Sequence, residues 1–166
     1  MDGAGPGRGR LRARCRPVAE AMMLKDQSKK GIREYLLAQG VNATTQRVEL
    51  AHYILHNFNH ITADEIHRLM NQDFARVSRA TIYNTLNLFV DIGLLGKLDM
   101  ASGSTIYDVN TEPHHHVVDA SSGELMDVHL PSAVEDSILR SMQAELPAGA
   151  KLRLEDLRIV VQGSPA

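Results

Sequence analysis

The chain has 166 residues, 43% of them hydrophobic, and a formal net charge of -2. That length holds one ordinary domain or two small ones with enough apolar side chains for a core, and no apolar run approaches the ~18 residues that a bilayer span needs. The single cysteine, Cys15, excludes an intrachain disulfide and a multi-cysteine zinc site, so a metal would have to be held by histidine and carboxylate.

Residues 1–27 carry six basic and three acidic groups, residues 28–110 eight of each, and residues 111–166 four basic and nine acidic. The acidic end should face away from nucleic acid, and DNA binding by the neutral middle would depend on where a few cations are placed. The tail over residues 1–27 is rich in Gly, Arg and Pro, with arginines at 8, 10, 12, 14 and 16, and reads as disordered. It has no apolar stretch of a secretory signal, which gives a cytoplasmic expectation. Three readings stay open for it: no specific role, a basic arm on DNA phosphates, or an over-long start ahead of Met22 or Met23.

From Ser28 the pattern is helical. In "KKGIREYLLAQG", Ile32, Leu36 and Leu37 share a face that stops at Gly40, and after "NATTQR" the residues Val48, Ala51, Leu55 and Phe58 recur at helical spacing. Thr62 and Glu65 form a capping box for a third helix through Ile66, Leu69 and Met70. Ser78 caps a fourth, in which Ile82, Leu86 and Phe89 share a face closed by Gly93. The strands "LLGKLDM" and "STIYDV", joined by "ASG", then make a hairpin, so residues 28–107 read as a winged helix-turn-helix. A hinge at 108–113 leads to residues 114–166, with strands "HHHVVD" and "ELMDVHL", a helix from Pro131 to about Glu145 and a last strand "LRLEDLRIVV". This α/β part is too small to bury a core alone and should dimerise. The expected class is α/β (α+β): an N-terminal winged helix and a small α/β dimerisation and sensing domain.

Burying Ile82, Leu86 and Phe89 leaves Arg79, Thr81, Tyr83, Asn84 and Asn87 for solvent. Arg pairs with guanine or phosphate, and Tyr or Thr contacts a thymine methyl. Thr44 and Arg47, at a helix start, suit phosphate contacts. A merely solvated polar face has the same pattern. In "HHH", His114 and His116 point one way along a strand and His115 the other. Two imidazoles at this spacing make half a metal site and need further ligands.

From about Gly31 to Val161 the chain resembles the ferric uptake regulator family, through "TTQR", "HITADEIH", "SRATIYNTLNLFVDIGLL", "STIYDV", "HHH" and "GELMDV" in that order. The resemblance implies a homodimer, or a higher oligomer, that binds AT-rich double-stranded operators, with Tyr83 on thymine and Arg47 on phosphate. Asn42 departs from a basic residue common in the family at that position. The resemblance also adds His60, Asp108 and Asp127 to His114 and His116 as ligands of a regulatory metal, a donor set suited to Fe(II), Mn(II) or Zn(II). A metal held by all five would fix the angle between the two halves and so the spacing of two recognition helices. His60 as an ordinary loop residue is the plain alternative.

Asp119 and Ser122 stand where many family members have a Cys-x-x-Cys zinc pair. Their absence, with an unbroken "HHH", resembles the alphaproteobacterial iron response regulator branch, which implies a repressor of iron and haem homeostasis with haem on His114, His115 and His116. Cys15-Arg16 departs from the Cys-Pro haem motif of some members. Asp127 in place of Glu resembles the family's peroxide sensors instead. A metal or haem carrier without DNA binding is the reading from another class, and a hydrolase lacks its HExxH-type geometry, so no enzyme is expected. His115, His129 and Glu135 are a guessed second metal site, and His52, His56 and His67 read as structural.

Overall fold

The structure, a computed structural model, describes residues 26–73, 77–100, 102–149 and 158–163. The tail up to residue 25, Cys15 included, and residues 152–157 of the expected last strand lie outside the described residues. Helix α1 (Lys29–Ala38) starts where the Ser28 hydroxyl accepts the Gly31 N–H at 3.2 Å. Helix α2 (Thr45–Asn57) starts in the same way at Thr44. The short strand β1 (His60–Thr62) runs directly into α3 (Ala63–Asp73), and α4 (Arg79–Asp91) opens at Ser78. Then come β2 (Gly96–Asp99), β3 (Thr105–Asp108), β4 (His115–Asp119), β5 (Leu125–Val128), α5 (Ser132–Glu145) and β6 (Val160–Gly163).

Helices α1 and α4 end alike. Gly40 and Gly93 take φ of 75°, which lets Val41 N–H reach Leu36 C=O at 2.9 Å and Leu94 N–H reach Phe89 C=O at 2.8 Å. Each is a Schellman turn whose flanking apolar pair is buried in the core. The Tyr35 hydroxyl donates to Ile92 C=O at 2.7 Å and ties the two helix ends together. The core joins Ile32 and Leu36 of α1, Val48, Leu50, Ala51 and Ile54 of α2, Ile66 and Met70 of α3, and Ile82, Leu86 and Phe89 of α4. The α2 face differs from expectation: Ile54 is fully buried, whereas Leu55 and Phe58 are only half-buried. The helix stops at Asn57 and the extended Phe58 leaves its axis, so the spacing that joined them does not continue.

Beneath the helices, β1, β3 and β2 form an antiparallel sheet in the order β1-β3-β2. Helices α3 and α4 with this β2–β3 hairpin make the winged helix. The second sheet has the order β5-β4-β6, with β6 parallel to β4. The mixed α/β class is therefore as expected, but β1 was not: its three residues sit inside "HITADE", where the helix-capping pattern dominates the sequence. Among the described residues, α5 buries none of its side chains, and Met126, Val134, Met142, Val160 and Val161 are large apolar groups left exposed. No helix among the described residues is long and apolar enough to cross a membrane.

Candidate metal centre and nucleic-acid face

Each sheet contributes one cross-strand His–Asp pair. His60 of β1 stands opposite Asp108 of β3, and His116 of β4 stands opposite Asp127 of β5. Directly paired residues on one face have neighbouring Cβ atoms, so both pairs follow from register alone. His114, two residues before His116 and on the same side, is the fifth member. One ligand atom from each of the five lies within 4.8 Å of all the others.

The closest approaches are His60 Nε2 to Asp127 Oδ1 at 2.9 Å, His114 Nε2 to His116 Nε2 at 2.9 Å and His114 Nε2 to Asp108 Oδ2 at 3.0 Å. Ligands ~2.1 Å from one ion stand ~3 Å apart when adjacent and ~4.2 Å apart when opposite, so the closest approaches match adjacent ligands and the 4.8 Å limit of the cluster is slightly wider than one coordination sphere. Two observations support that fit. His60 Nε2 is buried and makes no hydrogen bond among the described residues, although Asp127 Oδ1 lies 2.9 Å away. His114 Nδ1 lies 2.7 Å from the Glu112 carbonyl, which only accepts, so Nδ1 is the donor there and Nε2 is the nitrogen turned toward the cluster. Three imidazoles and two carboxylates suit Fe(II), Mn(II) or Zn(II).

Burial, and then the neighbouring His114 ring, holds the His116 imidazole below its ordinary value against the pull of Asp108. Burial by itself would raise Asp127, but the Asn110 hydrogen bond and the facing imidazoles outweigh it and hold that carboxyl down. Both groups are thereby kept in the form that ligates a cation. Asn110 carried no signal in the sequence, yet its backbone N–H donates to Asp108 Oδ1 at 2.8 Å and its side-chain amide to Asp127 Oδ2 at 3.1 Å. Only the fold shows it, because Asp127 is far along the chain.

The triple histidine is divided. All three rings are buried, but His115 turns away from the cluster, with Nε2 3.0 Å from Glu135 Oε1 and Nδ1 accepting the Ile159 N–H at 3.3 Å. The guessed trio is corrected accordingly: His129 lies beside the His114 ring, 6.1 Å between centroids, and the described residues assemble no metal group with His115 and Glu135. At the β4–β5 turn, Asp119 accepts from the Ser121 hydroxyl at 2.7 Å and the Ser122 hydroxyl at 2.8 Å. The Ser121 bonds, then that of Ser122, push its carboxyl down to about 2. Hydrogen bonds thus clasp the two positions at which the resemblance had placed zinc cysteines.

On α4, Arg79, Tyr83, Asn84 and Asn87 share an exposed stripe, with Tyr83 at 40% exposure. Arg79 Nη1 lies 3.6 Å from Asp64, and Asn87 accepts from the Tyr107 hydroxyl at 3.3 Å. Thr81 is less available than expected: it is half-buried, with its hydroxyl 2.8 Å from that of the cap residue Ser78. Thr44 receives the Arg47 N–H at 3.3 Å, and Arg47 Nη1 donates to Asn42 C=O at 2.8 Å; at this start of α2 Thr44 is exposed and Arg47 half-buried.

A winged helix joined to a small α/β unit, with a His/Asp cluster close to coordination-sphere size between them, defines a winged-helix protein with a candidate metal centre. A model of the ferric uptake regulator family matches residues 38–160, and the chain belongs to that family. It is 38% identical over 96 residues to the peroxide-responsive repressor PerR of Staphylococcus epidermidis, a match covering 58% of this chain and 64% of that protein. The match therefore spans less than two thirds of that relative. Among solved structures, the ferric uptake regulator of Vibrio cholerae superposes with a TM-score of 0.63 at 18% identity, over 80% of this chain and 98% of that one. A zinc-bound manganese uptake regulator gives 0.60 at 28%, over 81% of this chain and 98% of that one.

Proposed function

We propose that the protein is a homodimeric, metal-controlled transcriptional repressor of iron homeostasis, working in the cytoplasm on AT-rich duplex operators. The observation that carries this is the cluster itself: His60 and Asp108 come from the first sheet, His116 and Asp127 from the second, and His114 from the residue just ahead of β4. His60, Asp108, His114, His116 and Asp127 would hold a divalent metal, which would supply bonds tying the two sheets together. The side chains do the rest. Arg47 and Thr44 position the chain on phosphate, while Arg79, Tyr83 and Asn84 face base edges and Thr81 presents its methyl beside them. The exposed Met126, Val134, Met142, Val160 and Val161 supply an apolar face for a second copy. The proposed units are 28–107 on DNA, 108–113 as hinge, and 114–166 for dimerisation and sensing, with β3 running one residue into the hinge at Asp108.

Peroxide response is the second reading, favoured by Asp127 at the site and by the 38% identity to a peroxide-responsive repressor. Haem control, as in the iron response branch, is the finer form of the first. It requires His115 to leave Glu135 and the Ile159 amide before all three imidazoles can serve one ligand. The test is selection from a randomised duplex library, then operator binding without metal, with Mn(II), with haem, and with Fe(II) plus peroxide. Binding that responds to Mn(II) supports the metal reading. Loss only with Fe(II) plus peroxide selects the peroxide reading, and loss on haem alone selects the iron response branch. A library that yields no operator leaves a metal or haem carrier and overturns the proposal.

A further inference from the structure

We infer that Asn110 is a positioning residue that latches the two halves of the metal centre together before any metal binds. The inference rests on the metal-control reading above and names a regulatory element within the same site. Asn110 lies between β3 and β4, in the connection between the two sheets. Three of its four polar groups are engaged. The backbone N–H donates to Asp108 Oδ1 at 2.8 Å, the side-chain Nδ2 to Asp127 Oδ2 at 3.1 Å, and Oδ1 accepts the Glu112 N–H at 3.2 Å. One residue thus holds both carboxylates, one from each sheet, through oxygens other than those that make the closest contacts with histidine. Asp108 Oδ2 is left to His114 and His116, and Asp127 Oδ1 to His60.

The chemistry follows from charge. Two carboxylates drawn toward one point repel each other, and donors on their outer oxygens offset that repulsion without using a ligand lone pair. The Glu112 bond fixes which way the amide faces, so its N–H group is committed to Asp127. Glu112 in turn gives its carbonyl to His114 Nδ1 at 2.7 Å, so the same short connection sets a third ligand. A hinge held in this way keeps the metal-free protein close to the metal-bound arrangement. Metal then shifts a population that is already mostly assembled, and the change in DNA affinity it produces is correspondingly narrow.

The experiment uses the full chain with Cys15→Ser and spin labels at Arg68→Cys on α3 and Ser137→Cys on α5, both exposed positions. Labelled chains are diluted with unlabelled protein so that distances within one chain dominate. Zn(II), a diamagnetic probe, is the metal. Asn110→Ala removes the amide and keeps the backbone N–H on Asp108. The expected result is a narrow label distance in the metal-free parent, a broad one in metal-free Asn110→Ala that narrows on Zn(II), and Zn(II) affinity weakened about tenfold or more, as for outer-shell losses. Should the alanine variant fail to fold, the isosteric Asn110→Asp, which turns the donor into a repelling oxygen, must show the same metal-free broadening. A metal-free parent as broad as the variant, or Zn(II) affinity within about twofold of the parent, overturns the inference. None of these readouts needs DNA, so failure to bind an operator would sink the functional reading and leave this one decided separately.

Discussion

Replacing Asp108 with Asn isolates the charge at the centre. The side chain is 1% exposed and sits 3.0 Å from His114 Nε2 and 3.3 Å from His116 Nε2. Asparagine has the same shape and keeps an oxygen for the Asn110 N–H, so the variant should fold. It loses the anionic ligand, and metal affinity should fall by at least the ~10–100-fold that outer-shell changes cause. At a metal concentration 100 times the dissociation constant, the parent gains ~2.7 kcal/mol of stability. A site weakened ~100-fold gains only ~0.4 kcal/mol at the same concentration. At this chain length ~1 kcal/mol moves the melting temperature by ~2–4 °C, so Mn(II) should raise the parent by about 5–10 °C and Asp108→Asn by about 1 °C. Calorimetry or dye-monitored melting with and without Mn(II) reads the difference. A variant that keeps the full metal-induced rise would show that Asp108 is no ligand of the metal that stabilises the fold.

Tyr83→Ala, which removes a 40% exposed ring from the α4 stripe, should weaken operator binding several-fold more than binding to random duplex in a competition titration. Equal losses on both would place Tyr83 off the bases. Glu65→Ala breaks a reciprocal cap, in which Glu65 Oε2 takes the Thr62 N–H at 2.9 Å and the Glu65 N–H reaches the Thr62 hydroxyl at 3.2 Å. Its urea midpoint should report a loss of about 1 kcal/mol, and an unchanged midpoint would mean that β1 alone holds the start of α3. For pH, burial holds His116 below its ordinary 6.5, so the folded protein binds fewer protons than the unfolded chain. Its contribution is complete above about pH 6.5 and is lost as pH falls through the folded value. Metal-free urea midpoints at pH 7.5, 6.5 and 5.5 should therefore decline, and less so in His116→Gln; parallel curves would contradict the assignment.

Helix boundaries were legible because their signals are local. The side chains of Ser28, Thr44 and Ser78 each accept the backbone N–H three residues on, and Gly40 and Gly93 mark helix ends. Strand β1 was hidden because a three-residue strand has no period of its own and its last residue is also the α3 cap. The direction of His114 and His116 followed from the two-residue period of an extended chain. Their meeting with His60, Asp108 and Asp127 did not, since it depends on how two sheets face each other, and only the family resemblance anticipated it. Asn110 and the Asp119 clasp escaped notice for opposite reasons. Asn110 acts on a residue far along the chain, whereas Asp119 closes a local turn whose chemistry is visible only once its serines are seen to point back.

His60 is where metal binding and DNA binding should separate, because it comes from the first sheet, while His116 and Asp127 come from the second and His114 from the residue just ahead of it. The decisive measurement is operator affinity against Mn(II) concentration for the parent and for His60→Ala, with metal occupancy followed in the same samples. The parent should change affinity as the site fills, whereas His60→Ala should still take up metal at higher concentration and hold a flat operator affinity. A His60→Ala protein whose operator affinity tracks metal occupancy as the parent's does would contradict control through a metal shared between the two sheets.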